Sequence, residues 1–121
     1  MAGFFRFRAL FAALFFCFAA NLWALNADEE ARVNALLTKL GKQTELVFIR
    51  NGAEHSAQEA ESHLRLKLSN AGKRLSTAEQ FIDRAASGSS ISGKPYIVRI
   101  DGKEEPANAF LHRLLKNFDN P

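Results

Sequence analysis

Two dipeptides, Asn51-Gly52 and Asp101-Gly102, constrain this chain more than any other feature. A type I′ turn needs positive φ at both central residues, which Asn or Asp followed by Gly accepts with little strain. Each dipeptide follows a strand-like run. Leu46-Val47-Phe48-Ile49 is continuously apolar and rich in β-formers, the pattern of a strand covered on both faces; Tyr96 to Ile100 is the second run. Return strands are expected near 53–55 and at Lys103–Glu105, the latter stopped by Pro106. Tight hairpins make antiparallel pairs, which selects an α+β fold over a parallel α/β sheet.

Helices are expected around the hairpins. Val33, Leu36, Leu37 and Leu40 form one stripe in residues 28–42, with acids at the start and Gly41 at the stop. Ser56 and Glu59 form a capping box for a helix to about Asn70, with Ala57, Ala60, Leu64, Leu68 and Ala71 on its apolar side. Ser76 and Glu79 give a second box, for a helix that buries Ala78, Phe81, Ile82 and Ala85. The last helix, about Ala107 to Asn117, aligns Phe110, Leu111, Leu114, Leu115 and Phe118. The expected order is α-ββ-α-α-ββ-α: a small antiparallel sheet from two β-hairpins packed with about four helices. The hairpins are loosely alike, but no internal repeat of useful length is visible.

Composition divides the chain. The first 25 residues hold seven of the eleven Phe, the only Trp, Cys and Met, two arginines and no acid. A basic start followed by an apolar run from Ala9 to about Ala20 is the layout of a secretory signal peptide. The expected division is a signal peptide over 1–27 and a single α+β domain over 28–121. Cleavage after Ala24 and after Ala27 are equally open, because Leu22 and Leu25 are both large for the position two residues upstream. An uncleaved anchor is the alternative. Phe15 and Phe16 before Cys17 exclude a lipoprotein site. Residues 28–121 carry 14 Lys+Arg and 13 Asp+Glu, a net charge of +1, so nucleic acid is not an expected partner. Without Cys, this part has no disulfide, thiol chemistry or thiolate metal site.

The stretch 88-GSSISGKPY-96 matches the G-x-x-x-x-G-K core of a phosphate-binding P-loop at Gly88, Gly93 and Lys94. Pro95 stands where Ser or Thr would bind Mg²⁺, and the order is helix–loop–strand, the reverse of a P-loop. An NTP site is therefore not expected. The stretch reads first as a polar connector whose glycines permit tight turns, and alternatively as a loop whose amides, Ser90, Ser92 and Lys94 bind an anion or a partner carboxylate. A Ser-x-x-Lys pair fails because Ile91 lies three before Lys94. His55, Glu59 and His63 are spaced four apart, but His55 precedes the Ser56 cap; no metal or cofactor is expected. His63 and Lys67 lie one helical turn apart and suit a polar site. His112 is expected at the surface.

The segments 48-FIRNG-52, 63-HLRLKL-68, 77-TAEQFI-82 and 87-SGSSISGKPY-96, followed by a D-G turn, resemble in order and spacing the YfeK-like family of small, signal-bearing bacterial proteins of unknown function. The resemblance covers about residues 31–115. It implies a periplasmic protein of Gram-negative bacteria and supplies no activity. His55 stands where that family tends to carry an aromatic residue, and Gly88 where a larger polar residue is common. The matching positions imply Arg50, Asn51, His63, Lys67, Ser90, Ser92, Lys94 and Tyr96 as site residues. The resulting expectation is a non-enzymatic periplasmic binding or envelope-accessory module, taking an unidentified protein or a small anionic ligand. One alternative is a small hydrolase using Ser90 or Ser92 with His63 or Lys94. Another is a membrane-anchored interaction domain with its N-terminus uncleaved. Contact with a membrane is expected only through the N-terminal segment.

Overall fold

The computed structural model describes residues 24–121, so the apolar N-terminal segment as far as Trp23 lies outside the described residues. Helix α1 (Ala27–Gly41) starts at Asn26, whose Oδ1 accepts the Glu29 amide at 2.9 Å. Its stripe of Val33, Leu36, Leu37 and Leu40 is buried. Strands β1 (Val47–Arg50) and β2 (Ala53–Ser56) meet at Asn51 (φ 51°) and Gly52 (φ 79°), the type I′ geometry that the dipeptide dictates. The Ser56–Glu59 capping box opens helix α2 (Ala57–Ala71), which a 3₁₀ turn, Gly72–Arg74, extends.

Helix α3 starts one residue later than expected. Thr77, not Ser76, is the cap, accepting the Gln80 amide at 3.1 Å. Glu79 does not close a capping box, because its carboxylate is taken by Arg32 of α1 at 2.9 Å. One regular turn, Ala78–Phe81, passes into a π-turn, Ile82–Ala86, closed by Ser87 Oγ donating to the Ile82 carbonyl at 2.5 Å. Strands β3 (Ile97–Ile100) and β4 (Lys103–Pro106) turn through Asp101 (φ 52°) and Gly102 (φ 77°). Helix α4 (Ala107–Asp119) buries Phe110, Leu111, Leu114 and Leu115; Phe118 stays 42 % exposed, outside the stripe assigned to it.

The four strands form one antiparallel sheet in the order β2-β1-β3-β4. Strand residues alternate between faces. Phe48 and Val98 point into the helical side and join a single core cluster with α1–α4. The opposite face carries Val47, Ile49 and Ile97, only half-buried, and Arg99 held by Glu54 at 2.7 Å. The apolar run at Leu46–Ile49 is therefore not covered on both faces. Leu46 is buried before the strand starts, Phe48 faces the helices, and Val47 and Ile49 pack among cross-strand neighbours on the open side.

The fold repeats itself. A constant offset of fifty residues carries β1-turn-β2 onto β3-turn-β4, and from Leu46–Ala57 to Tyr96–Ala107 the burial class agrees at every position. The central pair places Phe48 opposite Val98, its own counterpart, so an approximate two-fold axis passes between them. For the preceding helices the offset is forty-five: Val33, Leu36, Leu37, Leu40 and Gly41 map onto Ala78, Phe81, Ile82, Ala85 and Ala86, all buried. The change of offset isolates five extra residues. They fall in the second helix-to-strand connector, Ser87–Pro95, whose counterpart is the short Lys42–Glu45.

Candidate functional site

The longer connector is ordered by its own hydrogen bonds. Gly88 and Pro95 form an isolated antiparallel bridge, and Ser89 N donates to the Lys94 carbonyl at 3.0 Å. Ser89 Oγ accepts the amides of Ile91 (3.3 Å) and Ser92 (3.2 Å), a serine turn that fixes the tip. Gly93 adopts φ 73°, open to glycine at no steric cost. At this tip Ile91 is 99 % exposed.

Antiparallel pairing of β1 with β3 brings the first hairpin turn beside the connector. Asn51 Oδ1 accepts from Ser92 Oγ at 2.7 Å, and Asn51 Nδ2 donates to Ser89 Oγ at 3.5 Å. The other anchor comes from α2. Lys67 Nζ donates to the Gly88 carbonyl at 2.8 Å and to the Tyr96 hydroxyl at 3.1 Å, and lies 5.0 Å from the Tyr96 ring centroid. One turn earlier, His63 Nε2 meets the same hydroxyl at 3.4 Å. Tyr96 is buried, with its ring 5.4 Å from that of Phe48.

Electrostatics set the character of this cluster. Burial pushes the His63 pKa below 6.5, and the charges of Arg50, Lys67 and His55 push it further down. A neutral imidazole can accept the proton of the Tyr96 hydroxyl while that oxygen accepts from Lys67. Arg50 and Lys67 make no ion pair among the described residues, whereas Arg32, Arg65, Arg99 and Arg113 each hold a carboxylate. Among the described residues Arg50 Nε is shielded from solvent and has no hydrogen-bond partner, at a cost of about 1–3 kcal/mol. Lys67 and the imidazole of His63 thus meet a buried hydroxyl, and the Arg50 charge acts on the same imidazole.

The structure brings Arg50, His63, Lys67 and Tyr96 into one cluster and Asn51 and Ser92 into a second that shares the connector. Lys94 donates its backbone amide to Ser92 Oγ at 3.2 Å, and its exposed side chain joins neither cluster. Ser90 is exposed and makes no side-chain bond. Neither Ser90 nor Ser92 bonds to His63 or to the Lys94 amine; His63 faces Tyr96, and Ser92 faces Asn51. His55 pairs with Glu59 at 3.6 Å, and among the described residues no three His, Cys, Asp or Glu side chains gather to hold a metal. Ser89 and the Gly88 carbonyl were not marked by the sequence, although serine turn chemistry singles out Ser89. Also unmarked is a polar chain in which Asp83 accepts from Asn108 (2.9 Å) and meets His112 (2.7 Å), while Asn108 donates to Ser87 (2.8 Å). His112 and Asn108 hold the Asp83 carboxyl below its usual range.

A family model described as a family of unknown function, DUF5329, matches residues 27–119, from the first residue of α1 to the last of α4. The chain belongs to this family. The chain is 60 % identical over 75 residues to the uncharacterized protein YfeK of Salmonella typhimurium. The match covers 61 % of this chain and spans 62 % of that relative's length. No solved structure matches. The DUF5329 match takes in every residue of both clusters and assigns a role to none of them.

Proposed function

We propose that this DUF5329 protein is a non-enzymatic binding module of the bacterial envelope, exported by its N-terminal segment, that takes an anionic group at Arg50, His63 and Lys67 beside the Ser87–Pro95 connector. The observation that carries the reading is that Lys67 and His63 meet at the Tyr96 hydroxyl, that the Arg50 charge acts on the same imidazole, and that among the described residues neither Arg50 nor Lys67 has an ion-pair partner. Holding like charges together costs free energy, and a bound carboxylate or phosphate offsets that cost. The fold supplies an internal control. At the pseudo-equivalent end of the sheet, Leu46 stands for Tyr96, Ile100 for Arg50 and Asn117 for Lys67, while Arg113, which stands for His63, is paired with Glu105 at 2.7 Å, so hairpin closure there proceeds without an unpaired cation. The connector adds a pre-ordered rim of amides and hydroxyls, which lowers the ordering cost of binding.

The test is a titration of the isotope-labelled protein with inorganic phosphate, and separately with acetate, followed by amide NMR. Saturable shifts at Gly88–Lys94, His63 and Lys67 are expected, with affinity at least tenfold weaker in Arg50→Gln and in Lys67→Met. Absence of saturable shifts with both anions, or shifts insensitive to both substitutions, would overturn the reading.

A further inference from the structure

We infer that the export peptidase cuts the Ala24–Leu25 bond and not the Ala27–Asp28 bond, so that the mature chain starts at Leu25. The inference rests on the export reading above. The sequence leaves the two bonds equivalent, each with Ala before the cut and Leu two residues further upstream.

The fold separates them. Ala27 is the first residue of α1, and Asn26 is its cap: Asn26 Oδ1 accepts from Glu29 N at 2.9 Å, and the Asn26 carbonyl accepts from Glu30 N at 2.9 Å. Leu25 packs against the core cluster, in a groove of about 640 Å³ that Ala31, Arg65 and Leu68 also line. Cutting after Ala27 removes the cap, its two hydrogen bonds and the Leu25 contact together. It also places a new α-ammonium on Asp28, at the positive end of the helix dipole. The cost extends beyond one helix end. The Glu29 carboxylate bonds Arg32 and accepts the Ala78 amide at 2.8 Å, so the first turn of α1 is where α3 starts.

Cutting after Ala24 leaves all of these contacts in place. Ala24 is exposed and precedes the helix and its cap, so its bond lies outside the hydrogen-bonded first turn. Water adds across the Ala24–Leu25 amide: Ala24 leaves as a carboxylate on the released peptide, and Leu25 gains an α-ammonium. Leu25 shares its groove with Glu30, a carboxylate that suits the new ammonium.

The experiment expresses the full chain, with its own N-terminal segment, in a Gram-negative host. The envelope fraction is released by osmotic shock and analysed by N-terminal sequencing and intact mass. A mature chain starting Leu-Asn-Ala supports the inference. A chain starting at Asp28, or at any other internal residue, overturns it while leaving export intact. An uncut chain that starts at Met1 and stays in the membrane or the cytosol overturns the inference together with the export reading. Ala24→Leu is expected to accumulate precursor, whereas Ala27→Leu is expected to be processed at the normal rate; the reverse pattern would sink the assignment. Ala27 is exposed, so neither variant disturbs the core.

Discussion

Arg32→Met tests what joins the helices outside the core. Arg32 is 21 % exposed and reaches three carboxylates: Glu29 at 2.8 Å, Glu79 at 2.9 Å and Asp119 at 2.8 Å. It thereby ties α1 to the start of α3 and the end of α4. Met keeps the apolar stem and deletes the fork. Glu29 is 17 % exposed, so its pair falls in the range of charged hydrogen bonds, about 1.5–3 kcal/mol. Glu79 and Asp119 are 48 % and 32 % exposed, and solvent screening limits each pair to about 0.2–1 kcal/mol. The expected loss near neutral pH is about 2–5 kcal/mol in urea unfolding.

The pH dependence separates this account from a packing defect. Hydrogen bonding to Arg32 holds the Glu79 pKa below 4.5. A carboxylate with a depressed folded pKa contributes stability that is present above its unfolded value and lost as pH falls through the folded value. In the variant, three carboxylates converge without a cation, the Glu79 pKa is released upward, and its protonation relieves part of the repulsion. The gap between wild type and variant should be widest near neutral pH and narrow as pH drops below about 4.5. Adding Glu79→Gln to Arg32→Met should recover part of the loss, because it removes one of the stranded charges. A variant within about 0.5 kcal/mol of wild type, or a gap that does not change with pH, would refute the clamp.

Further outcomes follow from the same structure. Gly52→Ala and Gly102→Ala should each cost about 1–2 kcal/mol in chemical unfolding, and by nearly equal amounts, because both glycines have positive φ and nothing lies within 4 Å of an added Cβ. Unequal losses would argue against matching turns. The His63 pKa, followed by imidazole NMR, should lie below 6.5 and move up in Arg50→Gln; its folded value being the lower one, it subtracts stability as pH falls through 6.5, since the unfolded chain then binds the proton first. Tyr96→Phe should cost about 1–2 kcal/mol and loosen Lys67, which would keep only its Gly88 bond. A chain whose Ser87–Pro95 segment is replaced by the Lys42–Glu45 sequence should still unfold cooperatively yet lose its response to phosphate; unfolding of this chain would make the connector a structural requirement.

The elements that local chemistry dictates were legible, and those that depend on a distant partner were not. Asn51-Gly52 and Asp101-Gly102 specify their turns because both dihedral pairs belong to the dipeptides themselves. Ser56 and Glu59 specify a capping box because each finds its partner three residues away. Ser76 and Glu79 carry the same local signal, yet Arg32, forty-seven positions from Glu79, removes one member, and the cap moves to Thr77. In the site, the spacing of His63 and Lys67 placed them on one helical face, but their common contact, Tyr96, is brought by β3. No local pattern marks Arg50 as a cation with a buried, unpartnered Nε, because that depends on what packs over the end of β1.

The internal repeat was hidden for a physical reason that also bears on the site. The two halves share burial, not residue identity: Phe48 maps onto Val98, Ala60 onto Phe110 and Val33 onto Ala78, so large and small side chains are exchanged across the axis. Close packing constrains the summed volume on the two sides of the axis more tightly than the volume at either position, and such exchanges keep the core filled while erasing the sequence likeness. No packing constraint of that kind explains a departure at an exposed connector. Five residues inserted before β3, Tyr96 where the other end has Leu46, Arg50 where it has Ile100 and Lys67 where it has Asn117 break the symmetry at one end of the sheet only. Both ends close the same type of hairpin on the same type of helix, so those shared elements do not account for the difference between them. What distinguishes the Tyr96 end is chemistry, and the chemistry it gathers is positive.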